Sequence, residues 1–414
     1  MSEKIMKNIP KLRFPEFINE PEWQKIKLNK LGKLVSGLTY TPEDIREDGL
    51  LVLRSSNVQD GEIKLEDNVY VRTDIKGANL SEPNDILICV RNGSKALIGK
   101  NALIPDNMPL CTHGAFMTIF RTKLSKFVFQ LFQTKDYERQ VNADLGATIN
   151  SINGNKFIKY EFYVPITEEE QQKITDCLSS VDNLILSQTK KVELLKEHKK
   201  ALLQNLFPRD GENVPPLRFP EFLDDGEWKE KILGDVVDYK NGKAHENDIL
   251  ENGDYIVVNS KFISTEGEIV KYTDSAFCLA SKNDILMVLS DVPNGKAIAK
   301  CYLVEFDNLY TVNQRICKIT TKKIISKFLF YVIDKNKYFL SFDDGVKQTN
   351  LRKEDVLNCP IVIPSNIDEQ QKIADCLTSI DEQINLQIQK VESLKEHKKA
   401  LLQQLFSSNE VING

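Results

Sequence analysis

Residues Glu170–Phe207, EQQKITDCLSSVDNLILSQTKKVELLKEHKKALLQNLF, return almost unchanged as Glu369–Phe406, EQQKIADCLTSIDEQINLQIQKVESLKEHKKALLQQLF. The second copy follows the first at a constant offset of 199 residues, without a gap. Neither copy contains glycine or proline, and Pro208 directly follows the first one, as is common where a helix ends. The pattern predicts the same long helix twice.

The apolar residues of each copy recur at spacings of three, four or seven residues. This narrow stripe is typical of the seam of a two-stranded coiled coil rather than of an ordinary core helix, whose apolar face is wider. Each helix therefore has a natural partner in the other copy. The seam residues are Leu178, Val181, Ile185, Val192, Leu195, Leu202 and Leu206 in the first helix, and Leu377, Ile380, Ile384, Val391, Leu394, Leu401 and Leu405 in the second.

Polar residues interrupt the seam at matching places, and they indicate a register. Gln188 and Gln387 lie at the midpoints of their helices, so an antiparallel pair aligned centre to centre would stack one on the other. A buried amide pair lowers stability but fixes register. The alternative is that both glutamines lie at the solvent edge. The same alignment predicts charge pairs between the helices: Asp176 with Lys398 and Lys399, and Asp375 with Lys199 and Lys200.

The repeat is larger than the helix. PKLRFPEFINEPEW, residues Pro10–Trp23, matches PPLRFPEFLDDGEW, residues Pro215–Trp228, at an offset of 205. We call these two stretches the lead-in motifs, and we expect their tryptophans to anchor the cores. The chain thus divides into a first mixed domain (1–167), a helix (168–207), a linker with a second mixed domain (208–367), and a second helix with a tail (368–414).

The globular parts read as α+β domains because short β-rich runs, Gly/Asn turns and a single helical run alternate in both. The predicted elements of the first domain are strands at Leu50–Arg54, Asp85–Arg91, Ala96–Ile104, Phe116–Arg121 and Tyr160–Val164, with a helix at Ser125–Val141. Those of the second are strands at Tyr255–Asn259, Asp284–Leu289, Ala297–Val304, Ile316–Thr320 and Pro360–Ile363, with a helix at Ile325–Phe339.

Composition points to a cytoplasmic protein. The start, MSEKIMKNIP, lacks the apolar core of a signal peptide, and no run reaches the ~18 apolar residues of a membrane span. The eight cysteines form no C-x-x-C pair, which favours reduced thiols. The four histidines show no metal-ligand spacing, so no metal site is expected.

Charge is unevenly distributed along the chain, whose net charge is −5. Residues 1–167 hold 23 basic and 20 acidic residues, whereas residues 208–367 hold 21 and 25. A nucleic-acid-binding protein with this balance must concentrate its positive charge on one face or obtain it from a partner.

The doubled arrangement resembles the specificity subunit of type I restriction–modification systems, over essentially the whole chain. The resemblance rests on the lead-in motif, on a DIL strand followed by a glycine-bearing loop and a GK or AK strand, and on a VPI-type entry to an EQQKI helix. These features recur in both halves, at Asp85 and Asp284, Lys100 and Lys300, and Val164-Pro165 and Ile363-Pro364.

The resemblance implies two tandem target-recognition domains, each followed by a long helix, with the helices packed as an antiparallel coiled coil. Each domain would read one half of a bipartite, asymmetric double-stranded DNA target, with the helices as a ruler between them. A helix of 38 residues spans ~57 Å, against ~34 Å for one turn of DNA. The implied partners are two modification subunits, which carry S-adenosylmethionine, and restriction subunits, which use ATP and Mg²⁺. The chain itself would bind no cofactor.

The candidate DNA-binding residues lie in loops between the predicted strands. Arginine and lysine contact guanine or phosphate, asparagine and glutamine can bracket adenine, and serine and threonine hydroxyls hold phosphates. The candidates of the first domain are Arg54, Ser55, Ser56, Asn57, Arg91, Asn92, Ser94, Lys95, His113, Thr148, Asn150 and Asn153. Those of the second are Asn259, Ser260, Lys261, Asp291, Asn294, Lys296, Asn313, Gln314, Arg315, Lys347, Gln348 and Asn350. Solvated polar loops without a ligand are the alternative for each residue.

No catalytic residue is predicted. The sequence contains no G-x-x-x-x-G-K-[ST] phosphate loop, no N-P-P-[FY] or F-x-G-x-G methyltransferase signature and no helicase motif. A self-sufficient methyltransferase or nuclease is therefore disfavoured. The remaining alternative is a coiled-coil adaptor whose two domains bind proteins or glycans.

Overall fold

The computed structural model describes residues 8–145, 150–292 and 295–406. The chain divides into two units, the first made of Met1–Thr189 with Gln389–Gly414, the second of Lys190–Ile388. Both division points lie inside the long helices, so each unit contains one mixed domain and half of each helix.

The strands of the first unit are β1 (Gln24–Lys27), β2 (Lys33–Ser36), β3 (Ile45–Arg46), β4 (Leu50–Leu53), β5 (Val58–Gln59), β6 (Glu62–Ile63), β7 (Val69–Val71), β8 (Ile86–Cys89), β9 (Asn101–Leu103), β10 (Cys111–His113), β11 (Met117–Arg121) and β12 (Glu161–Val164). Within the described residues they form two four-stranded sheets and two ribbons, with strand orders β2-β11-β8-β9, β10-β4-β7-β3, β1-β12 and β5-β6. The helices are α1 (Leu28–Leu31), α2 (Ser125–Leu131), α3 (Lys135–Asp144), α4 (Gly154–Phe157), the first half of α5 (Glu168–Asn205) and the second half of α11 (Ile367–Leu405).

Strand β8 explains how the first unit is layered. All four of its side chains are buried, which is typical of a strand covered on both faces. Ile86 and Ile88 belong to a core shared with the helices, whereas Leu87 and Cys89 belong to a core shared with the second sheet. Because successive side chains of a strand point to opposite faces, β8 lies between helices on one side and a sheet on the other.

The strands of the second unit are β13 (Lys229–Ile232), β14 (Val237–Asn241), β15 (Tyr255–Val258), β16 (Tyr272–Thr273), β17 (Leu279–Ala280), β18 (Ile285–Val288), β19 (Ser290–Asp291), β20 (Cys301–Leu303), β21 (Tyr310–Val312), β22 (Ile316–Thr321), β23 (Thr349–Asn350) and β24 (Pro360–Ile363). They repeat the plan of the first unit, with strand orders β14-β22-β18-β20, β16-β15-β21-β17, β13-β24 and β19-β23. The helices are α6 (Leu233–Val236), α7 (Ser260–Ser264), α8 (Ser326–Ile333), α9 (Lys337–Leu340), α10 (Lys353–Leu357), the second half of α5 and the first half of α11.

Both globular helices are shorter than the sequence predicts. The run Ser125–Val141 divides into α2 and α3 because the Thr134 side chain accepts a hydrogen bond from the Tyr137 amide and begins a new helix. In the second unit the Asn336 side chain caps α9 in the same way, through the Tyr338 amide. The predicted strand Ala96–Ile104 also shortens, because Lys95–Leu97 forms a 3₁₀ turn before β9.

The predicted seam of the long helices is confirmed. Every seam residue of α5 and α11 is buried or half-buried. In the first unit Lys398 Nζ lies 2.6 Å from Asp182 Oδ1, and in the second Lys199 pairs with Asp381. A late residue of one helix thus pairs with an earlier residue of the other in both units, so the helices run antiparallel.

The predicted charge pairs of Asp176 and Asp375 are wrong. Their carboxylates instead accept hydrogen bonds within their own helices, at 2.7 Å from Gln172 and 2.8 Å from Gln371. Helical side chains lean towards the N-terminus of their own helix. Each lysine therefore reaches an aspartate further along the partner helix than an alignment of backbones suggests.

Gln387 is buried, with 8% of its surface exposed, and Gln188 is half-buried. The solvent-edge alternative is therefore excluded for Gln387. The stacking of the two glutamines stays a prediction.

The lead-in motif of the first unit holds the start of α5. Arg13 donates two hydrogen bonds to the Glu170 carboxylate, from Nε at 2.8 Å and from Nη2 at 2.7 Å. The Trp23 indole donates a third, at 3.1 Å. The Glu170 side chain is only 2% exposed, so these donors and the N-terminal end of the helix dipole take the place of water in stabilising the carboxylate. The Trp23 ring also packs edge-on against Phe406, which follows α11.

The second unit builds the same clamp at the start of α11. Arg218 Nε and Nη2 donate to the Glu369 carboxylate at 2.7 and 2.8 Å, and the Trp228 indole donates at 3.2 Å. The Trp228 ring packs edge-on against Phe207, which follows α5. The lead-in motif therefore aligns a mixed domain with both long helices, and the two tryptophans are buried as predicted.

Candidate nucleic-acid interface

Three segments that are distant in the sequence meet in the first unit. They are the loop after β4 (Arg54–Asn57), the loop after β8 (Arg91–Lys95) and the segment Asn150–Asn153. The side-chain amide of Asn92 donates to the Ser55 hydroxyl at 3.0 Å, and the side-chain amide of Asn150 donates to the Gly93 carbonyl at 3.0 Å. Together with Phe116, which precedes β11, these segments form what we call the first loop surface.

Basic side chains on the first loop surface differ in how strongly the protein holds them. Arg54 forms an ion pair at 2.7 Å with Asp67 and also donates to the Asp67 carbonyl. Arg91 is exposed, and its guanidinium lies over the Phe116 ring, 5.6 Å from the centroid. Ser94 and Lys95 are also exposed, as are Ser56 and Asn153. Thr148 lies outside the described residues.

Two predicted contact residues of the first domain are interior residues, which corrects their assignment. Asn57 is 0% exposed and closes its own loop, because it accepts from the Arg54 amide and donates to the Lys64 and Asp67 carbonyls. His113 is 0% exposed, and its Nε2 lies 3.0 Å from the Val35 carbonyl. Burial lowers the pKa of His113, so the ring is neutral at neutral pH. Residue type alone did not reveal that these polar groups serve the core.

The second unit forms the corresponding second loop surface from the ends of β15, β18 and β21 and from the segment Lys347–Asn350. The side-chain amide of Gln348 donates to the Ser290 hydroxyl at 2.6 Å, and the backbone amide of Leu289 donates to the Arg315 carbonyl at 2.9 Å. Strand β19 pairs with β23, so Ser290 lies opposite Asn350. The exposed members of this surface are Lys261, Lys296, Gln314, Arg315, Lys347, Gln348 and Asn350.

Several polar residues of the second surface shape the loops. Asn259 is the N-cap of α7 and accepts from the Phe262 amide, beside the half-buried Ser260. Asp291 accepts from the Ala297 and Ile298 amides and thereby closes the loop after β19.

Asn313 and Gln314 precede β22. Asn313 accepts from the Gln314 amide, and the Gln314 side chain donates to Glu246 at 2.7 Å. Both side chains therefore have partners within the protein. Asn294 lies outside the described residues.

Phe116 is not among the candidate residues, although it is 57% exposed and its ring lies beneath Arg91 on the first loop surface. An aromatic residue in a polar loop is the sequence signal that points to it. Within the described ranges, no group of three or more His, Cys, Asp or Glu side chains could hold a metal ion. No helix in the described part of the chain is long and apolar enough to cross a membrane.

Comparisons with known proteins identify the family to which the chain belongs. The family model of the type I restriction modification DNA specificity domain matches residues 20–197 and again residues 225–396. The specificity subunit of the type I restriction enzyme StySPI from Salmonella potsdam is 23% identical, over 90% of this chain and 87% of that protein. The MjaVIII specificity subunit from Methanocaldococcus jannaschii is 24% identical, over 98% and 96%.

A solved structure of a type I restriction-modification S subunit from M. genitalium aligns with a TM-score of 0.64 and 18% identity, over 97% of this chain and 100% of that one. This likeness shows the fold. The adaptor alternative receives no support from these relatives. Because the family model covers both halves of the sequence, the chain belongs to the family of type I restriction–modification DNA specificity proteins.

Proposed function

We propose that this chain reads a bipartite, asymmetric double-stranded DNA target, one half-site through each loop surface. The observation that carries the proposal is the pair of equivalent surfaces: the same strand ends support them, but their side chains differ. Arg91 and Asn92 follow β8, whereas Ser290 and Asp291 follow the equivalent strand β18. Two readers of different sequences need this combination of a common scaffold and different side chains.

The chain directs chemistry that other subunits perform. Modification subunits that carry S-adenosylmethionine methylate adenine within the target, and restriction subunits that use ATP and Mg²⁺ cleave DNA. This chain contributes recognition and assembly and is not itself catalytic, in agreement with the missing catalytic motifs. Its net charge of −5 suits a subunit whose partners provide part of the grip on DNA.

Methylome sequencing of cells with and without the gene tests the proposal. We expect one bipartite adenine-methylated motif to disappear when the gene is deleted and to return with a plasmid copy. Unchanged methylation would contradict the proposal, provided that the modification subunit is still expressed.

Direct binding tests the DNA contact independently of methylation. The chain, co-purified with its modification subunits, should bind duplex DNA carrying the motif more tightly than scrambled duplex. The affinity should fall with salt, because each neutralised phosphate contributes about −0.9 to the slope of log K against log salt concentration. Salt-independent binding, or none, would favour a protein or glycan ligand.

A further inference from the structure

The two loop surfaces share a pair of equivalent positions beside their central strands. In the first unit the Val90 amide donates to the Phe116 carbonyl at 3.0 Å, next to the pairing of β8 with β11. In the second unit the Leu289 amide donates to the Arg315 carbonyl at 2.9 Å, next to the pairing of β18 with β22. Phe116 and Arg315 are therefore structural equivalents.

The residue that follows the first strand of each pair is also equivalent. Arg91 bridges to Ser151 in the first unit, and Ser290 pairs with Asn350 in the second. Arg91 on the first loop surface thus corresponds to Ser290 on the second, and Phe116 corresponds to Arg315. Both units have an arginine at this strand pair. In the first unit the arginine follows β8, whereas in the second it precedes β22, which is the equivalent of β11.

Both arginines are available to a ligand. Each is exposed, and neither has a carboxylate within ion-pair distance among the residues that the structure describes. Arg54, by comparison, is held by Asp67. An arginine kept free of carboxylates on a loop surface retains the full donor capacity of its fork.

Phe116 gives Arg91 an orientation. The ring is 57% exposed and the guanidinium lies over its face, so the pair is a platform rather than part of the core. Stacking on an aromatic ring restricts the guanidinium, so less freedom is lost when the fork binds. In the second unit Ser290, the equivalent of Arg91, accepts from Gln348 and leaves Arg315 to supply the charge.

We propose that each loop surface presents one guanidinium to a guanine base, Arg91 in the first and Arg315 in the second, with Phe116 as the positioning residue for Arg91. This inference rests on the proposed function. The guanidinium fork matches guanine O6 and N7 in the major groove, and this is the commonest specific arginine contact. Each half-site of the target therefore contains a G·C pair at the place that faces this strand pair.

The test uses the full chain co-expressed with its partner subunits, and methylome sequencing of variants Arg91→Ala, Arg315→Ala and Phe116→Ala. We expect Arg91→Ala to relax one G·C position in one half-site and Arg315→Ala to relax one G·C position in the other. Binding to the matched duplex should weaken by roughly 10- to 100-fold for each arginine variant, and discrimination against a duplex changed at that pair should fall. Arg139→Ala, on the exposed face of α3, is the control and should leave the motif unchanged.

Phe116→Ala should relax the same position as Arg91→Ala, but less. The double variant should give the same methylated motif as Arg91→Ala alone, because a positioning residue has no effect once the residue it positions is gone. A purely structural role for Phe116 would instead lower binding to all duplexes equally and would overturn its assignment.

Arg91→Ala also separates a base contact from a phosphate contact. Loss of a base contact relaxes the G·C position, whereas loss of a phosphate contact weakens binding to all duplexes equally. A motif kept intact by Arg91→Ala, with a salt slope reduced by about 0.9, would identify a phosphate contact and overturn the inference. The unaltered half-site reports folding in each variant, since it is still read if the chain assembles. A wild-type motif without G·C in either half-site overturns the inference alone, whereas the absence of any motif overturns the proposed function.

Discussion

At the scale of single residues, Glu170 carries a charge in a place that water hardly reaches. Its carboxylate depends on Arg13 and Trp23, and removal of one partner of a buried ion pair leaves the other charge uncompensated. We expect Arg13→Met to lower the free energy of unfolding of the first unit by about 3–5 kcal/mol. Amide hydrogen exchange of β8, which is buried in the core of the first unit, measures the change.

An exposed ion pair on the same helix is the matched control. Lys173 lies 3.0 Å from Glu16, and both side chains are about half exposed. Lys173→Met should lower the free energy of unfolding far less than Arg13→Met, because water screens the pair. The double variant Arg13→Met with Glu170→Gln should be more stable than Arg13→Met alone. Equal losses for Arg13→Met and Lys173→Met would show that burial does not govern the clamp.

His113 makes stability depend on pH. Its Nε2 faces the Val35 carbonyl and therefore donates, so Nδ1 is unprotonated, and that buried atom has no partner in the described chain. Burial lowers the pKa of His113 in the folded state, and the hydrogen bond to the Val35 carbonyl and the carboxylate of Asp85 oppose this shift only in part. The unfolded chain therefore binds the proton more readily, and stability falls as pH drops below the unfolded value of about 6.5.

The variant His113→Gln tests this pH dependence, since its Nε2 can still donate to Val35. The melting temperature of the wild type should decrease more steeply between about pH 7.5 and about pH 5.5 than that of the variant. Parallel curves would mean that His113 is not responsible.

At the scale of elements, equivalent ion pairs hold the antiparallel helices together in both units. Asp182 forms an ion pair with Lys398 and accepts a hydrogen bond from the Gln130 side chain. Asp381 forms an ion pair with Lys199 and accepts a hydrogen bond from the Tyr331 hydroxyl. Gln130 and Tyr331 occupy the same place in α2 and α8. Each aspartate therefore ties a helix of its mixed domain to both long helices.

Both division points between the units lie between these ion pairs, at Thr189 and Gln389. Duplication of four residues around each point adds ~6 Å and little more than one turn to each helix, and keeps both ion pairs in register. We expect the methylated motif to retain its half-sites and to gain about two spacer base pairs, at ~3.4 Å each. Duplication in one helix only should impair assembly. An unchanged spacer in the double variant would mean that the helices do not set it.

At the scale of the whole molecule, the parts that are predictable from sequence are those governed by local periodicity and by repetition. The seam from Leu178 to Leu206 and the central strands follow from residue spacing alone. The clamp does not, because Arg13 and Glu170 are 157 residues apart and nothing local connects them. The same limit applies to Asn57 and His113, whose polar side chains resemble loop residues until the packing around them is known, and to the exposed Phe116.

A replacement of residues 215–365 tests whether the two readers are independent. The exposed members of the second loop surface all lie inside this segment, whereas the seam and the charges that hold the helices lie outside it. When a relative supplies the segment, only one half of the methylated motif should change. Changes in both halves, or in neither, would contradict the model of two readers.

The replacement must keep the clamp, because Arg218 and Trp228 lie inside the segment and bind Glu369 outside it. A replacement that also carries Arg218→Met leaves Glu369 buried without its guanidinium, at a cost of about 3–5 kcal/mol. We therefore expect that variant to lose methylation at the whole motif, whereas the intact replacement yields a hybrid motif. If both replacements produce the same hybrid motif, the second reader holds its position without the clamp.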